Sequence, residues 1–294
     1  GMFSFPPPRG LAAGGEPPLC RRVGWLTAHQ LKPVGIDWVH SPCVDVNTDP
    51  ANPEIGTRSY APLADVTAEF ATQTILGYRE GGLVATGKHF PGRGHSGVDA
   101  HHDVPIIDEP PERMREVHLA PYRALIAAGL PAVMLAHSVY PALDPSGEIS
   151  TLSKPIVTGV LREELGFEGV IVTDSFTMGG LVARYEVAEA AVRAIEAGVD
   201  VILLKDENAL RGEVYDALLE TVESGRISED RVDQSVRRVL TVKDEYGLLT
   251  GEMGVVDPRA AEENLRDPRH AEIAAEAARA TVSKCPPTPR RAKW

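Results

Sequence analysis

Short apolar runs alternate with longer amphipathic stretches along much of the chain. The runs cover residues 35–47, 84–90, 132–137, 169–174 and 200–204. Their length and continuous apolar character are typical of strands buried on both faces of a parallel sheet. The stretches between them repeat apolar positions with a helical period and cover residues 66–80, 112–128, 156–165 and 187–197. The alternation predicts βαβ units and therefore an α/β fold.

Polar residues lie at or near the ends of these apolar runs, and several are types that carry chemistry. They are Asp45, Lys88, His89, His137 and Asp174. An α/β barrel builds its active site at the carboxyl ends of its strands. The pattern therefore predicts a TIM-type (β/α) barrel with a functional site at that end.

The two ends of the chain follow a different pattern. Residues 1–20 are rich in Pro and Gly and are predicted to be irregular. Two amphipathic helices are predicted over residues 210–224 and 228–246, a loop over 251–267 and an Ala-rich helix over 270–282, before a Pro-rich basic tail. This organisation predicts a barrel-like domain over residues 1–250 and a helical extension with an irregular basic tail over residues 251–294.

Composition and charge narrow the classes of partner. The 294 residues include 30 Lys and Arg against 42 Asp and Glu, a net charge of −12 with His neutral. This excess of acid disfavours nucleic acid or an anionic membrane as the main partner. No apolar run approaches the roughly 18 residues of a membrane span, and the start of the chain lacks the pattern of a signal peptide.

The cysteines and loops give no sign of a cofactor. Cys20, Cys43 and Cys285 are too few and too far apart for a disulfide framework or a zinc cluster. The chain also lacks a dinucleotide-binding loop. We therefore expect no metal and no cofactor, and the cysteine usage favours a reducing compartment, which makes the cytoplasm the expected location.

Residues 88–101 contain the densest set of reactive side chains. A strand ends in Lys88 and His89, and the Gly-rich loop that follows carries Asp99 and His101 two residues apart. In an extended stretch these two side chains point the same way, so the carboxylate can orient the imidazole and favour its charged form, as a general acid requires. A solvated loop with a metal-like cluster of His95, His101, His102 and Asp103 fits the same spacing.

Asp174 closes a strongly apolar strand. A lone carboxylate in that position is costly unless it is paired or functional. At the carboxyl end of a barrel strand it is a candidate nucleophile, and it is also well placed to cap the next helix. The residues alone leave both interpretations open.

Several long segments resemble glycoside hydrolase family 3, in its β-N-acetylglucosaminidase branch. KHFPGRG together with the Asp99–His101 pair resembles the signature loop of the family, and LREELGFEGVIVTDSFTM resembles its nucleophile strand. SPCVDVNTDPANPEIGTRSY resembles the third-strand segment, and VMLAHSVYPALDP and AIEAGVDVILL also fit. The motifs stand in the family's order, and the resemblance extends roughly from Phe5 to Thr250.

This resemblance implies a fold, a reaction and roles for three residues. Family members are TIM-type barrels that remove β-linked sugars with retention, here β-linked N-acetylglucosamine from the end of a small β-glycoside or amino-sugar oligosaccharide. Asp174 would be the nucleophile that forms a glycosyl-enzyme, His101 the general acid and then base, and Asp99 its partner. A β-glucosidase and a phosphorylase of the same family are alternatives.

The resemblance also assigns residues to the sugar. Lys88, His89 and Arg58 match positions that hold sugar hydroxyls, and Asp45 matches an Asp near the pocket. Lys88 and Arg58 are expected to help keep the nucleophile ionised. For His137, a place in the pocket and a place in the packed core are both open.

The chain departs from the family at three places. Arg93 stands where the family often has His, and the last helix breaks off into CPPTPRRAKW. Nothing in residues 1–30 matches the Asp-x-Glu-Gly-Gly motif of the second family strand, so we expect the first two β/α units to be missing. Replacement by the tail helices, donation from another copy in a homo-oligomer, and a non-catalytic remnant are therefore open, as is an aldolase-like lyase with Lys88 as Schiff base.

Overall fold

Four parallel strands form the sheet at the centre of the structure, a computed structural model that describes residues 2–100, 103–205, 208–249 and 256–283. The strands are β1 (Thr86–Phe90), β2 (Ala132–Leu135), β3 (Val170–Ser175) and β4 (Val201–Leu203), and they pair in the order β1-β2-β3-β4. Chain order and sheet order coincide, as expected of successive βαβ units. The predicted α/β fold and four of the five predicted strands are confirmed.

The remaining apolar run, residues 35–47, lies along the outer edge of β1 without forming a regular strand. It makes two isolated parallel bridges, Trp38 with Val84 and Cys43 with Lys88. Pro42 lies between them and has no N–H to donate, which interrupts the ladder. At the other edge, no strand in the described ranges pairs with the outer side of β4, so closure into a complete barrel is not seen there.

Helical segments flank the sheet throughout the described ranges. The α-helices are α1 (Pro8–Gly14), α2 (Pro17–Leu31), α3 (Ala64–Glu80), α4 (Pro111–Arg113), α5 (Ala120–Ala127), α6 (Gly179–Val182), α7 (Val187–Ala197), α8 (Asn208–Glu223), α9 (Glu229–Glu245), α10 (Pro258–Asn264) and α11 (Pro268–Ser283). Two further segments, Met114–His118 and Pro155–Glu164, are π-helical. All the helices predicted from the sequence are confirmed, and in the described ranges no helix is both long and apolar enough to cross a bilayer.

Two predicted irregular regions are wrong in part. Residues 8–14 and 17–31 form α1 and α2, each with a proline near its start. Proline at the first helical position loses no hydrogen bond and has its φ already set, so it begins a helix rather than preventing one. In the predicted loop before α11, Pro258 starts α10 in the same way, and the Asp257 side chain caps it by accepting from the backbone N–H of Arg259.

The helices at the two ends of the chain pack against each other. A Cβ added to Gly14 of α1 would lie 2.0 Å from the Ala280 carbonyl oxygen of α11, so the two helices approach closely at that glycine. Ala277 of α11 is fully buried and belongs to the same core as β1 to β3. The amino-terminal and carboxyl-terminal helices therefore share one packed side of the domain.

An apolar cavity of about 590 Å³ lies between α8 and α9. Tyr215, Leu219 and Val236 line it, and Asp200, just before β4, is also among its lining residues. Since Asp200 is at the amino end of its strand, this cavity is remote from the carboxyl ends where the predicted site residues lie.

Candidate active site at the carboxyl edge of the sheet

An irregularity in β1 places His89 at the edge of the sheet. Lys88 pairs with Met134 of β2 and Phe90 pairs with Leu135, so His89 is an extra residue without a partner in the ladder. Such bulges reorient side chains and are common next to active sites. His89 is 1% exposed, whereas Lys88 is half-buried.

Asp45 lies beneath His89 and is fully buried. Its Oδ2 accepts from His89 Nδ1 at 2.7 Å and from Cys43 Sγ at 3.1 Å, and its Oδ1 accepts from the backbone N–H of Arg93 at 2.8 Å. Burial alone would raise the pKa of Asp45, but His89 and Arg93 outweigh it and lower the pKa below its ordinary value. The carboxylate therefore stays ionised and connects β1 to the loop after it.

The ligand-type atoms of Cys43, Asp45 and His89 lie within 4.8 Å of one another. Burial, followed by the Asp45 charge, raises the pKa of the Cys43 thiol well above its usual value, so the sulfur keeps its proton. The S–H and the His89 N–H both point at Asp45. The group is a hydrogen-bonded network, and a metal here would have to displace those hydrogens.

His89 is neutral at physiological pH. Burial, with Arg93 adding to it, lowers the pKa of His89 to about 4. Because Nδ1–H donates to Asp45, Nε2 carries the lone pair, and Arg58 Nη2 lies 3.3 Å from it. Nε2 also faces the Asp174 carboxylate at 3.9 Å.

Asp174 lies at the end of β3 with its side chain 17% exposed. Its Oδ1 accepts from the Ser175 N–H at 2.9 Å, and its Oδ2 lies 3.5 Å from Arg93 Nη2. Burial alone would raise the pKa of Asp174, but His89, Arg93 and His137 together lower it. Since His89 and His137 are neutral near pH 7, the guanidinium of Arg93 is the full positive charge among these three.

Arg93 is a buried ion-pair residue, although the sequence identified it only as a departure from the family. It is 1% exposed, and Nη2 lies 2.6 Å from Glu54 Oε1 as well as 3.5 Å from Asp174 Oδ2. Burial would lower the pKa of the Arg93 guanidinium, but Glu54, Asp45 and Asp174 raise it. One arginine thus connects the carboxylates of Glu54 and Asp174.

Glu54 joins the same network from the segment before α3. Its side chain is 5% exposed and also pairs with Arg58, at 3.7 Å. Burial raises the pKa of Glu54, Arg93 opposes this, Asp99 adds to it, and a backbone hydrogen bond from Ala100 lowers it. Glu54 therefore lies between Arg93 and the loop that carries Asp99.

The loop with the predicted acid/base pair packs against the segment after β3. Asp99 is half-buried, and His101 lies outside the described residues. A Cβ added to Gly180 of α6 would come within 2.8 Å of the Asp103 carbonyl and 3.1 Å of the Ala100 carbonyl oxygen. The described residues on both sides of His101 are therefore held close to the element that follows Asp174.

His137 lies just after β2 and is 1% exposed. Its Nδ1 lies 2.9 Å from Thr151 Oγ1 and its Nε2 lies 3.2 Å from the Ser175 carbonyl oxygen. Burial lowers the pKa of His137 to about 4. Both ring nitrogens are engaged, so of the two interpretations left open the structure favours the packed one, in which His137 holds the backbone after Asp174.

Lys88 and Arg58 flank the open side of this group. Burial, followed by the nearby Arg58 charge, lowers the pKa of Lys88. Arg58 ends a short 3₁₀ turn (Gly56–Arg58), and its side chain is 40% exposed.

The structure brings together five residues that the sequence predicted for this site, Asp45, Lys88, His89, Arg58 and Asp174. It adds three that the sequence did not single out for it, Glu54, Arg93 and Cys43. Glu54 stands in the NPEIG motif, but nothing in that motif indicates its partner.

Residues 1–242 match the model of the glycosyl hydrolase family 3 N-terminal domain. Because the match spans most of the chain, the chain belongs to glycosyl hydrolase family 3, and the resemblance noted in the sequence is confirmed. The parallel sheet with flanking helices is the TIM-like α/β fold of that domain.

Within the family, the chain is similar to proteins of more than one activity. Beta-hexosaminidase A of Pseudoalteromonas piscicida is 29% identical over 280 residues, which are 90% of this chain and 46% of that protein. A family 3 beta-N-acetylglucosaminidase from Paenibacillus sp. str. FPU-7 is 38% identical with a TM-score of 0.85, covering 93% of this chain and 53% of that one. Beta-glucoside phosphorylase BglX is 27% identical with a TM-score of 0.87, covering 95% and 51%. The chain spans about half the length of the curated relatives it matches.

Proposed function

We propose that this chain is the barrel part of a retaining, exo-acting glycosidase that removes β-linked N-acetylglucosamine. The observation that carries the proposal is the partly exposed Asp174 carboxylate at the end of β3, 3.5 Å from a buried arginine that favours its charged form. The choice of sugar is supported by the 38% identity to a beta-N-acetylglucosaminidase.

The reaction proceeds in two displacements. Asp174 attacks the anomeric carbon through an oxocarbenium-like state, the bond to the leaving oxygen breaks, and that oxygen takes a proton from His101. Water then attacks the same carbon and gives a proton to His101, and the bond to Asp174 breaks. Free sugar is released, and both residues return to their starting states. The role of His101, with Asp99 as its partner, rests on the family resemblance.

The remaining site residues divide into two groups. Lys88 and Arg58 are partly exposed near His89 and hold sugar hydroxyls. His89 is 1% exposed, but its Nε2 faces Asp174, and the family resemblance assigns it the same role. Asp45 and His137 are fully buried or nearly so and act on protein groups, since Asp45 fixes the tautomer of His89 and His137 holds the carbonyl of Ser175. This division assigns Asp45 and His137 to positioning rather than to direct sugar contact.

The proposal is tested by release of 4-nitrophenol from its β-N-acetylglucosaminide. Asp174→Asn should abolish turnover while leaving the circular dichroism spectrum unchanged, and Asp216→Asn, an exposed aspartate on α8, is the matched control. A fluorinated substrate with a good leaving group should raise the intact mass of the wild type by one sugar residue, and should not do so for Asp174→Asn. Absence of turnover in a well-folded wild-type chain would contradict the proposal and favour the non-catalytic remnant.

A second candidate is phosphorolysis, because the chain is also similar over 95% of its length to a beta-glucoside phosphorylase. In that reaction phosphate replaces water in the second displacement, and a neutral histidine base repels phosphate less than a carboxylate base would. Adding inorganic phosphate to the assay distinguishes the two. Hydrolysis gives free sugar at any phosphate concentration, and phosphorolysis gives the sugar 1-phosphate at a rate that rises with phosphate.

A further inference from the structure

Two histidines and an aspartate meet where the two ends of the chain pack together. His29 belongs to α2, and Asp267 and His270 stand at the start of α11. One ligand-type atom from each lies within 4.8 Å of the other two. None of the three belongs to the group around Asp174, so this cluster is independent of the proposed glycosidase reaction.

The distance between the two imidazoles suits a shared cation. His29 Nδ1 lies 3.3 Å from His270 Nε2. Two nitrogens bound to one tetrahedral zinc at about 2.0–2.1 Å are themselves about 3.3–3.4 Å apart. The same distance fits an N–H···N hydrogen bond at the long end of its range, so the rings are already placed for either state.

A neighbouring amide supplies an oxygen that has no present partner. Asn264 Nδ2 lies 3.0 Å from His29 Nδ1, and Asn264 Oδ1 is buried without a hydrogen bond in the described part of the chain. Rotation of the amide by 180° exchanges the two atoms and brings Oδ1 to the position now held by Nδ2. This oxygen would then lie beside His29 Nδ1 as a fourth ligand.

The imidazole of His270 can contribute only one ring nitrogen to the cluster. His270 is fully buried, and its Nδ1 has no hydrogen-bond partner among the described residues. Nε2 is therefore the nitrogen that faces His29 and the only one positioned to coordinate. The ring also lies edge-on to Phe3, with the centroids 6.4 Å apart, so one side of the cluster is apolar.

The charges around the cluster leave its ligand-type atoms able to bind a cation. Burial, followed by the nearby Arg269 charge, lowers the pKa of His29, and burial is also the main cause of the lowered pKa of His270. Hydrogen bonds from Arg269 lower the pKa of Asp267, which stays ionised. Neutral imidazoles and a carboxylate can coordinate once the proton shared between His29 Nδ1 and His270 Nε2 moves to the other nitrogen of its ring. Arg269 donates to both carboxylate oxygens of Asp267, at 3.0 and 2.9 Å, so a cation would share this carboxylate with the guanidinium, which also stacks on Trp25 at 4.8 Å from the ring centroid.

We propose that His29, Asp267 and His270 form a site for a divalent zinc-class cation that ties α2 to α11. The donor set defines the class, because two imidazole nitrogens with oxygen ligands suit Zn²⁺, Co²⁺ or Ni²⁺, whereas Mg²⁺ and Ca²⁺ prefer oxygen alone. The cation would cross-link two helices that are far apart in sequence, and would therefore stabilise the packing of the chain's two ends.

The test is metal binding by the whole chain after treatment with a chelator. Isothermal titration with Zn²⁺ should show one tight equivalent, and the melting temperature should rise with Zn²⁺ and not with Mg²⁺. Co²⁺ should give the visible absorption of a four-coordinate ion. His29→Gln should lose the tight equivalent, the thermal shift and the absorption together. His29 is half-buried rather than fully buried, so this variant is expected to fold.

Two further variants keep the result interpretable. Asp267→Asn replaces a proposed charged ligand by a neutral amide and should lower the Zn²⁺ affinity by at least the roughly 10-fold seen when groups that only support a ligand are changed, while retaining the fold. Cys43→Ser is the matched control, because Cys43 belongs to the other group of ligand-type atoms. A tight equivalent that survives in His29→Gln, or that disappears in Cys43→Ser, would overturn the proposal, as would the absence of any tight Zn²⁺ binding by the wild type.

Discussion

Arg93 Nη2 lies 3.5 Å from Asp174 Oδ2 and 2.6 Å from Glu54 Oε1, in a position where the arginine is only 1% exposed. A guanidinium is always charged, so it favours the ionised form of Asp174 at any pH at which the protein is folded. The neutral histidines beside it cannot do this near neutrality. Arg93 therefore takes the part that the sequence led us to expect of Lys88 and Arg58.

Removing this charge should move the acidic limb of the activity profile. Arg93→Gln combined with Glu54→Gln removes the pair without leaving a buried carboxylate unmatched. The pKa of Asp174 is lowered in the folded protein, so losing Arg93 raises it. The acidic limb of kcat/KM against pH should then move up by about 1 pH unit, since an opposite charge at this range shifts a carboxyl pKa by roughly 1–3. Reduced activity with an unmoved acidic limb would assign Arg93 a purely structural role.

The contact of Gly180 with the loop after β1 gives a second prediction. Gly180→Ala places a Cβ 2.8 Å from the Asp103 carbonyl and 3.1 Å from the Ala100 oxygen, so the loop must move. Displacing catalytic groups by about 1 Å can cost on the order of 100-fold in rate. We expect kcat to fall by roughly 10–100-fold with little change in the urea midpoint of unfolding.

Gly159→Ala is the control for that measurement. Gly159 lies in the helical segment Pro155–Glu164, and a Cβ there meets nothing within 4 Å. Activity should be unchanged in this variant. Equal activity of Gly180→Ala and Gly159→Ala would show that the position of the loop does not limit the rate.

Buried histidines make the fold sensitive to acid. Burial lowers the pKa values of His89, His118 and His137 to about 4. The unfolded chain binds these protons near pH 6.5, so stability is complete above that pH and is lost as pH falls through the folded values. Each histidine should cost about 2 kcal/mol between pH 7.5 and pH 5.

His118 tests this without touching the active-site residues. It is 1% exposed, and neither ring nitrogen has a hydrogen-bond partner in the described ranges. His118→Leu should reduce the loss of unfolding free energy between pH 7.5 and pH 5 by about 2 kcal/mol, measured by urea denaturation at both pH values. The exposed His95→Gln is the control. An identical pH dependence in wild type and His118→Leu would contradict the argument.

The sequence predicted strands and helices correctly where one local pattern of apolar residues determines the element. Val170, Ile171 and Val172 are continuously apolar because both faces of the sheet are covered, and such a run is typical of a strand buried on both faces. The prediction failed near Pro8 and Pro17, where proline starts helices that tertiary packing stabilises, α1 against α11 and α2 mainly against α3. That packing is a tertiary contact, and no local pattern shows it.

In the candidate site, too, local motifs predicted the residues but not the tertiary contacts between them. Motifs placed Asp45, His89 and Asp174 at strand ends, and the structure brings them together. The ion pair of Arg93 with Glu54 joins residues on separate loops, so the spacing of neither residue indicates the other. The bulge at His89 could not be predicted from the sequence either, because it is a shift in register between two strands.

The opposite end of the sheet should determine stability rather than activity. The side chain of Asp200 has no exposure and accepts from Arg162 at 2.6 Å, Arg238 at 2.9 Å and the Ser235 hydroxyl at 2.7 Å. Asp200→Asn leaves partly buried guanidinium groups without a counter-charge and should lower the free energy of unfolding by about 3 kcal/mol, the lower end of the range for breaking a buried pair. Glu189→Gln, which breaks an exposed pair with Arg226, should change the free energy of unfolding far less, because solvent screens exposed pairs.

The same pair of variants separates stability from function. Asp200 stands at the amino end of β4, whereas Asp174 stands at the carboxyl end of β3, so kcat measured well below the unfolding temperature should be the same in Asp200→Asn and the wild type. Urea denaturation and the 4-nitrophenol assay on the same samples provide both numbers. A loss of kcat in folded Asp200→Asn would mean that the two ends of the sheet are coupled, and that the buried arginine cluster supports the position of Asp174 across the sheet.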